Sequence, residues 1–529
     1  MKNLFVGLVP LRYRRRPVNS TLLKTLVIYA IILPLAVALG WMAVDLADWD
    51  RTSFTVFALV GFVLILPLLL KWHYPVMVFS WAAFITLFFI PGRPALWMLM
   101  ALVAVSIAIV HRIITKRRTF LSAPAVTFSL LLLGAVILIT AWLRGGVGLN
   151  ILGSSTIGGK NYIVLLASIV GFFGFATRAI PPERAKLYVG LFFLSSTISI
   201  VSNLIFFAGP GFYFLYLIFP SGFAGVQAMS ETGGAGAISR VAGFSTGAVA
   251  ICVFLLAIYG VRGLFTKWWR LALFLLALTL GTMGGYRSLI VLIGAFFLIL
   301  FVMEGLLRSG LFPALLLAGG LTVAVLIPLA PQLPLSMQRT LSILPINVDA
   351  RVRADASSSL EWRLQIWRAL VPDLPKYVWL GKGYTINPTD LYLSQEATLR
   401  HRVASHESAV QSGSYHSGPL TLYVPFGSPG VVAFLIFLGV VARSLYLNYQ
   451  YGDEKLRTIN RFLLAYFLGR VLFFFTAFGD FGNEFYMFTG TIGLSVALNH
   501  GVCRRPASVA RAVVFRPGLR LRTPSSHPV

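Results

Sequence analysis

A helix needs about 20 consecutive apolar residues to cross the hydrocarbon core of a bilayer, and this chain is built largely from such runs. Fourteen apolar stretches centre near residues 33, 62, 82, 103, 134, 169, 197, 252, 277, 296, 320, 431, 469 and 492. Those near 82, 277 and 296 are short, so the expected number of crossings is 12–14. Backbone polar groups in lipid must be satisfied within the segment or its neighbours, which leaves helices for runs of this length. The expected fold class is therefore an all-α polytopic membrane protein with about 12–14 transmembrane helices. Charge agrees: only 12% of the residues are charged, and the mean hydropathy is +0.83. A soluble globular domain carries roughly twice that charge.

The net charge of +27 raises the question of nucleic acid, and the distribution of charge argues against it. The basic clusters are Arg12 to Arg16, Arg112 to Arg118, Arg178 to Lys186, Arg262 to Arg270, Arg443 to Arg461 and Arg504 to Arg522. With alternate crossings all of them fall on one side, as positive residues do on the cytoplasmic face. Both termini are thus expected in the cytoplasm, with the basic ends lying against anionic headgroups. The first apolar run follows Arg12 to Arg16 without a small-residue cleavage site, which reads as an anchor helix rather than a removed signal. Cys252 in a span and Cys503 in the tail are not expected to pair.

The expected organisation is a basic N-terminus at 1–20, eleven membrane helices over 21–330, and one large outer loop at 331–418. Closing helices over 419–500 and a basic, Pro/Arg-rich tail at 501–529 complete it. Within the outer loop, Ser358 to Leu370 reads as a helix with Ser357 to Ser359 as N-caps and Glu361 in its first turn. Gly209 to Arg240, with its aromatic stretch Phe212 to Phe219, reads as an interfacial hairpin.

Chemistry concentrates in cationic side chains at the outer edge of this apolar protein. Arginine near hydrocarbon is costly and points to function by default. Arg240 precedes a span in SRVAGFS, and Arg287 lies between two spans in GGYRSLIVL. Arg363 and Arg368 share the loop helix in EWRLQIWRAL; a spacing of five puts them about 140° apart, so one faces inward and the other outward. A guanidinium suits pyrophosphate because its planar fork makes two charge-assisted bonds and stays charged. The plainer reading is snorkelling, or pairing with a carboxylate such as Glu361. His416 sits where the loop re-enters the membrane, ahead of Gly427 and Gly430. Its imidazole titrates near neutrality and suits proton transfer from a hydroxyl. His401 and His406 are rival loop histidines.

Taken in order, these segments resemble the O-antigen ligase and polymerase superfamily. The family's motifs correspond to Arg240 with Gly243 and Phe244, Tyr286 with Arg287, and Arg363 with Trp367. Gly381 to Tyr384 and His416 with Leu420, Gly427 and Gly430 complete the set, which spans about 240–440. The resemblance implies a metal-independent, inverting glycosyltransferase of the bacterial inner membrane. Its donor is a glycan on undecaprenyl pyrophosphate and its acceptor a glycan or lipid hydroxyl, with no cofactor. By the same resemblance Arg240, Arg287 and Arg363, with Arg368 beside them, hold pyrophosphate, and His416 is the base. The chain departs from the family at Ser417, at Tyr286-Arg287-Ser288 and at Thr246 to Ala248.

Other readings remain open at this stage. Asp48 and Asp50 in DWDR resemble the metal-binding acidic motif of other lipid-linked glycosyltransferases. His401, His406, Glu407 and His416 form a weak zinc set, lacking helical i, i+4 spacing. A transporter or lipid-linked glycan flippase favours broken helices and mid-membrane charge, which Arg470 in FLGRVLFF fits. Arg470 alternatively faces the donor cavity, or balances Asp480 or Glu484.

Overall fold

The computed structural model describes residues 60–64, 67–68, 71–90, 92–115, 120–148, 158–232, 238–399 and 405–505. The chain divides into a unit spanning 1–71 and a second unit spanning 72–529. Its helices in chain order are α1 (His73–Ser80), α2 (Leu96–Thr115), α3 (Pro124–Arg144), α4 (Gly159–Phe175), α5 (Ala185–Leu194) and α6 (Ser199–Ala208). Next come α7 (Gly222–Thr232), α8 (Ala242–Leu264), α9 (Trp268–Thr282), α10 (Arg287–Met303), α11 (Leu311–Leu329) and α12 (Leu335–Leu341). The remainder are α13 (Ala350–Leu370), α14 (Pro388–Leu399), α15 (Ser405–Ser412), α16 (Gly418–Tyr451), α17 (Arg457–Thr476) and α18 (Phe481–Leu498). Among the described residues there is no regular β-strand.

Seven of the described helical segments are long and apolar enough to cross a membrane, and α4, α9 and α10 are shorter apolar helices. The chain is a multi-pass membrane protein. The expected crossing near residue 82 is corrected: α1 stops at Ser80, and residues 81–95 turn back through an isolated bridge between Thr86 and Ala95. The run near 33 lies outside the described residues. α11 has no buried residue and is apolar on every side, the pattern of a helix surrounded by acyl chains.

Where helices break, side chains and loops satisfy the freed backbone. α8 is interrupted at Gly260 (φ 66°), and the Glu304 carboxylate accepts from the Val261 and Arg262 amides at 2.9 and 2.8 Å. α16 is interrupted at Gly427 (φ 62°), between Pro425 and Pro429. The carbonyls of Val424 and Pro425 accept from the Lys382 and Gly383 amides at 2.7 and 3.0 Å, and Ser428 N–H donates to the Val378 carbonyl. A Cβ at Gly381 would run into the Pro425 carbonyl, and one at Gly427 into the Tyr377 carbonyl. Side chains at either position would push the loop ahead of α16 off the helix it repairs.

The segment between α11 and α16 packs with the start of α16 as its own small core. Ile366, Leu370, Ala409, Tyr415 and Val424 are buried together, flanked by Trp362, Trp367 and Tyr377. The loop helix is longer than expected. It starts at Ala350, with the Asp349 carboxylate capping the Arg351 amide, and not at Ser358. Ser357 and Ser358 lie inside it and donate back to the carbonyls of Ala354 and Asp355. That back-bonding lets serine sit mid-helix, so these serines are not caps. The expected hairpin over 209–240 contains a 3₁₀ segment, Pro210–Leu217, followed by α7.

Candidate functional site

Two glycine-dependent junctions and the packing of the loop helices bring the arginines together. At the start of α8, Gly243 N–H donates to Asn203 Oδ1 at 2.8 Å, and a Cβ there would meet the Ser199 carbonyl. This seats the start of α8, just after Arg240, against the first half of α6. Gly285 takes a left-handed turn (φ 72°) between α9 and α10, facing the Arg240 side chain. It delivers Tyr286 and Arg287 to the same edge. On the loop side, α12 packs against α9 and α10 and α13 packs against α12, adding Arg339 and Arg363.

Arg240, Arg287, Arg339, Arg363 and His416 line one cavity of about 530 Å³. Four guanidiniums in so small a space repel, and the structure supplies one carboxylate against them. Asp355 pairs with Arg240 at 2.9 Å and with Arg339. Arg339 also donates to the Gly285 carbonyl, and Arg287 Nη2 to the Ala356 carbonyl at 3.4 Å. Arg339 is buried, whereas the Arg240 and Asp355 side chains are 26% and 30% exposed. Burial, then the neighbouring Arg339, pull the Arg240 guanidinium below its ordinary pKa. Burial, then Arg287 and Arg339, do the same to Arg363. Both remain cations at any working pH, because arginine starts far above neutrality.

His416 borders the same cavity, held in the left-handed region (φ 49°). Non-glycine residues there store backbone strain and cluster at functional positions. Its ring meets Trp362 edge-on at 4.9 Å and Phe478 at 5.5 Å, and Phe478 also carries the Arg363 guanidinium at 5.7 Å. Nε2 lies 3.2 Å from Ser414 Oγ. Trp367 Nε1 donates to the Tyr415 carbonyl at 2.9 Å. Residues 363 and 367 are four apart, one turn along the same face of α13. That turn sends an arginine into the cavity and uses the tryptophan to fix the backbone beside the histidine. Burial, then Arg363, push the imidazole below its ordinary pKa. The neutral form, which can accept a proton, is favoured.

Of the residues singled out in the sequence, Arg240, Arg287, Arg363 and His416 share this cavity. Arg368 does not: it is exposed on α13 and absent from the cavity wall. The expected pyrophosphate role for Arg368 is corrected by helix geometry, since burying Ile366 and Leu370 turns residue 363 inward and 368 outward. Arg470 is bound bidentately by Glu484 at 2.7 and 2.8 Å and accepts no place in the arginine cavity. It lines a second cavity of about 570 Å³, mostly aromatic and aliphatic, which shares Tyr286, Ser288, Phe473 and Phe478 with the first. His401, Asp48, Asp50 and the His406 side chain lie outside the described residues. Among the described residues no group of three or more His, Cys, Asp or Glu side chains stands together.

Two members of the charged cluster were not singled out in the sequence: Arg339, which lines the cavity, and Asp355, which lines the adjoining one. Arg339 meets the criterion that picked the others, a cation in the outer segment of an apolar chain. Asp355 carries no such signal, because carboxylates are ordinary in a polar loop.

Residues 272–435 match the family described as O-Antigen ligase, which bears out the resemblance drawn from the motifs. The matched stretch contains Arg287, Arg339, Asp355, Arg363 and His416, while Arg240 lies ahead of it. A search of curated proteins finds none that matches. The match supports a membrane enzyme of the O-antigen ligase or polymerase type.

Proposed function

We propose that this protein transfers a glycan from undecaprenyl pyrophosphate to a hydroxyl of a glycan or lipid acceptor. The face of the bacterial inner membrane opposite its basic termini is where the reaction runs. The observation that carries the reading is the convergence of Arg240, Arg287, Arg339 and Arg363 with His416 on one cavity.

The chemistry follows from the groups present. The acceptor oxygen attacks the anomeric carbon of the donor sugar from the side opposite the pyrophosphate. The bond from that carbon to the pyrophosphate oxygen breaks, and its electron pair leaves with undecaprenyl pyrophosphate. The acceptor's hydroxyl proton passes to His416, which sheds it to water before the next turnover. A single displacement of this kind inverts the anomeric configuration. The arginines stabilise charge that grows on the leaving oxygens, where preorganised donors act most strongly. Their forks bind two oxygens each, which lysine cannot reproduce. A base in place typically contributes about 10²–10⁴-fold. No residue in this scheme needs a metal ion. The adjoining apolar cavity, which shares Tyr286 and Phe478 as wall residues with the first, suits the first isoprene units of the carrier.

Gene deletion followed by gel analysis of surface polysaccharide tests the reading. Loss of all long chains at once indicates ligation, and survival of single repeat units on their anchor indicates polymerisation. Unchanged surface glycans would contradict both. Orientation is tested at Thr389, exposed in α14. Thr389→Cys should react with a membrane-impermeant thiol reagent added to spheroplasts.

A further inference from the structure

A third cavity, of about 370 Å³, lies between the Gly381 to Tyr384 turn, the end of α15 and the start of α18. It differs in character from the arginine cavity. Its wall presents Lys382, Gln411, Ser414 and Asp480 beside the rings of Tyr384 and Tyr415. One ammonium and one carboxylate leave it without net charge, so it has no preference for a polyanion. Amide, hydroxyl and charged hydrogen-bonding groups beside aromatic faces suit a neutral polyol. Its volume is within the ordinary range for a small-ligand site.

The position of this cavity is what gives it meaning. Ser414 borders it, and Ser414 Oγ is 3.2 Å from His416 Nε2. His416 itself borders the arginine cavity. The imidazole therefore stands in the partition between a cationic chamber and a neutral polar one. The floor is rigid, because the Lys382 and Gly383 amides are fixed to the broken helix α16 and the Tyr384 amide to the Tyr162 hydroxyl at 3.0 Å. Asp480 is held by capping the Asn483 amide at 3.0 Å.

We infer that this cavity is the acceptor subsite, taking the terminal sugar ring of the acceptor and presenting one hydroxyl past Ser414 to His416. The inference rests on the transfer reaction proposed above. Lys382 and Asp480 hydrogen-bond ring hydroxyls, and Gln411 closes the outer rim. Transfer itself breaks and forms the bonds already described, and the subsite supplies position only.

Gln411 and Lys382 are both exposed, so changing them leaves the packing intact. Two measurements are needed on Gln411→Trp, which fills the rim, and on Lys382→Ala. One is surface glycan made by cells carrying each variant. The other is binding of undecaprenyl pyrophosphate, used as the probe, to each purified protein in lipid nanodiscs. The expected result is at least about a tenfold drop in transferred glycan, the equivalent of one lost hydrogen bond to a charged group, with probe affinity within about twofold of wild type. Wild-type glycan levels in Gln411→Trp cells would overturn the assignment. Loss of probe binding in both variants would also overturn it, placing the cavity in the donor site. Failure of the transfer reading itself is separate: wild-type protein would then not bind the probe at all.

Discussion

If the arginines hold pyrophosphate as proposed, Asp355 is the carboxylate that it must tolerate or displace, so removal of Asp355 reports directly on what the arginines are for. Asp355→Asn keeps the shape and one hydrogen-bonding oxygen but deletes the charge between Arg240 and Arg339. A guanidinium shared by a carboxylate and a phosphate separates the two anions by about 6 Å, where unit charges at an effective dielectric of ~20 repel by roughly 3 kcal/mol. The Asp355 side chain is 30% exposed, so solvent screening and weaker ordering of the two arginines reduce this to about half. A gain of about 1.4 kcal/mol in binding is a tenfold lower Kd. Undecaprenyl pyrophosphate titrated into purified protein in nanodiscs, followed by fluorescence of Trp362 and its neighbours, measures it. The advantage of Asp355→Asn should shrink as salt rises, since partly exposed charges are screened. Turnover should fall at the same time if the tighter carrier is slow to leave. Weaker binding by Asp355→Asn would refute the reasoning and make Asp355 an organiser of the cluster instead of a competitor for it.

Three further outcomes follow from the same geometry. The depressed pKa of His416 keeps the base neutral to lower pH, so activity should fall only as pH drops through a value below the ordinary 6.5. Arg363→Gln removes one of the two causes and should move that acid limb upward in a pH–rate profile; an unmoved limb would dissociate Arg363 from the imidazole. Arg470→Met strands the Glu484 carboxylate and should destabilise the protein by about 3–5 kcal/mol, with Arg470→Met/Glu484→Met recovering most of it. Thermal unfolding in detergent reads both, and an unchanged midpoint in the single variant would show that the pair is not structural. Gly427→Ala forces a side chain into a left-handed conformation facing the Tyr377 carbonyl and should lower the same midpoint. Unaltered stability there would mean the outer loop is not seated on the helix break.

Much of the membrane architecture was legible because a 20-residue apolar run has few alternatives. The spans near 103, 134, 252 and 431 correspond to α2, α3, α8 and α16. The run near 82 misled because hydropathy does not register where the backbone turns, and α1 ends at Ser80 despite the apolar residues that follow. In the site, Arg240, Arg287, Arg363 and His416 were visible as isolated polar groups at the edges of apolar segments. The choice between Arg363 and Arg368 was not visible, since helix geometry allows either to face inward and only the packing of Ile366 and Leu370 decides. Asp355 was hidden for a different reason. Its partners come from α12 and from the residues just ahead of α8, and the pairing exists only once α13 docks there. The start of α13 was obscured by the three serines from Ser357 to Ser359, which favour caps in general, whereas here Ser357 and Ser358 bond back to their own helix.

His416 carries the proposed proton transfer. Transfer measured in isolated membranes with His416→Ala, with and without EDTA, separates base catalysis from the metal alternative raised by Asp48 and Asp50. The expected result is a turnover loss of about 10²–10⁴-fold in His416→Ala, undecaprenyl pyrophosphate binding close to wild type, and wild-type activity unaffected by the chelator. EDTA-sensitive transfer that survives His416→Ala would contradict the central claim.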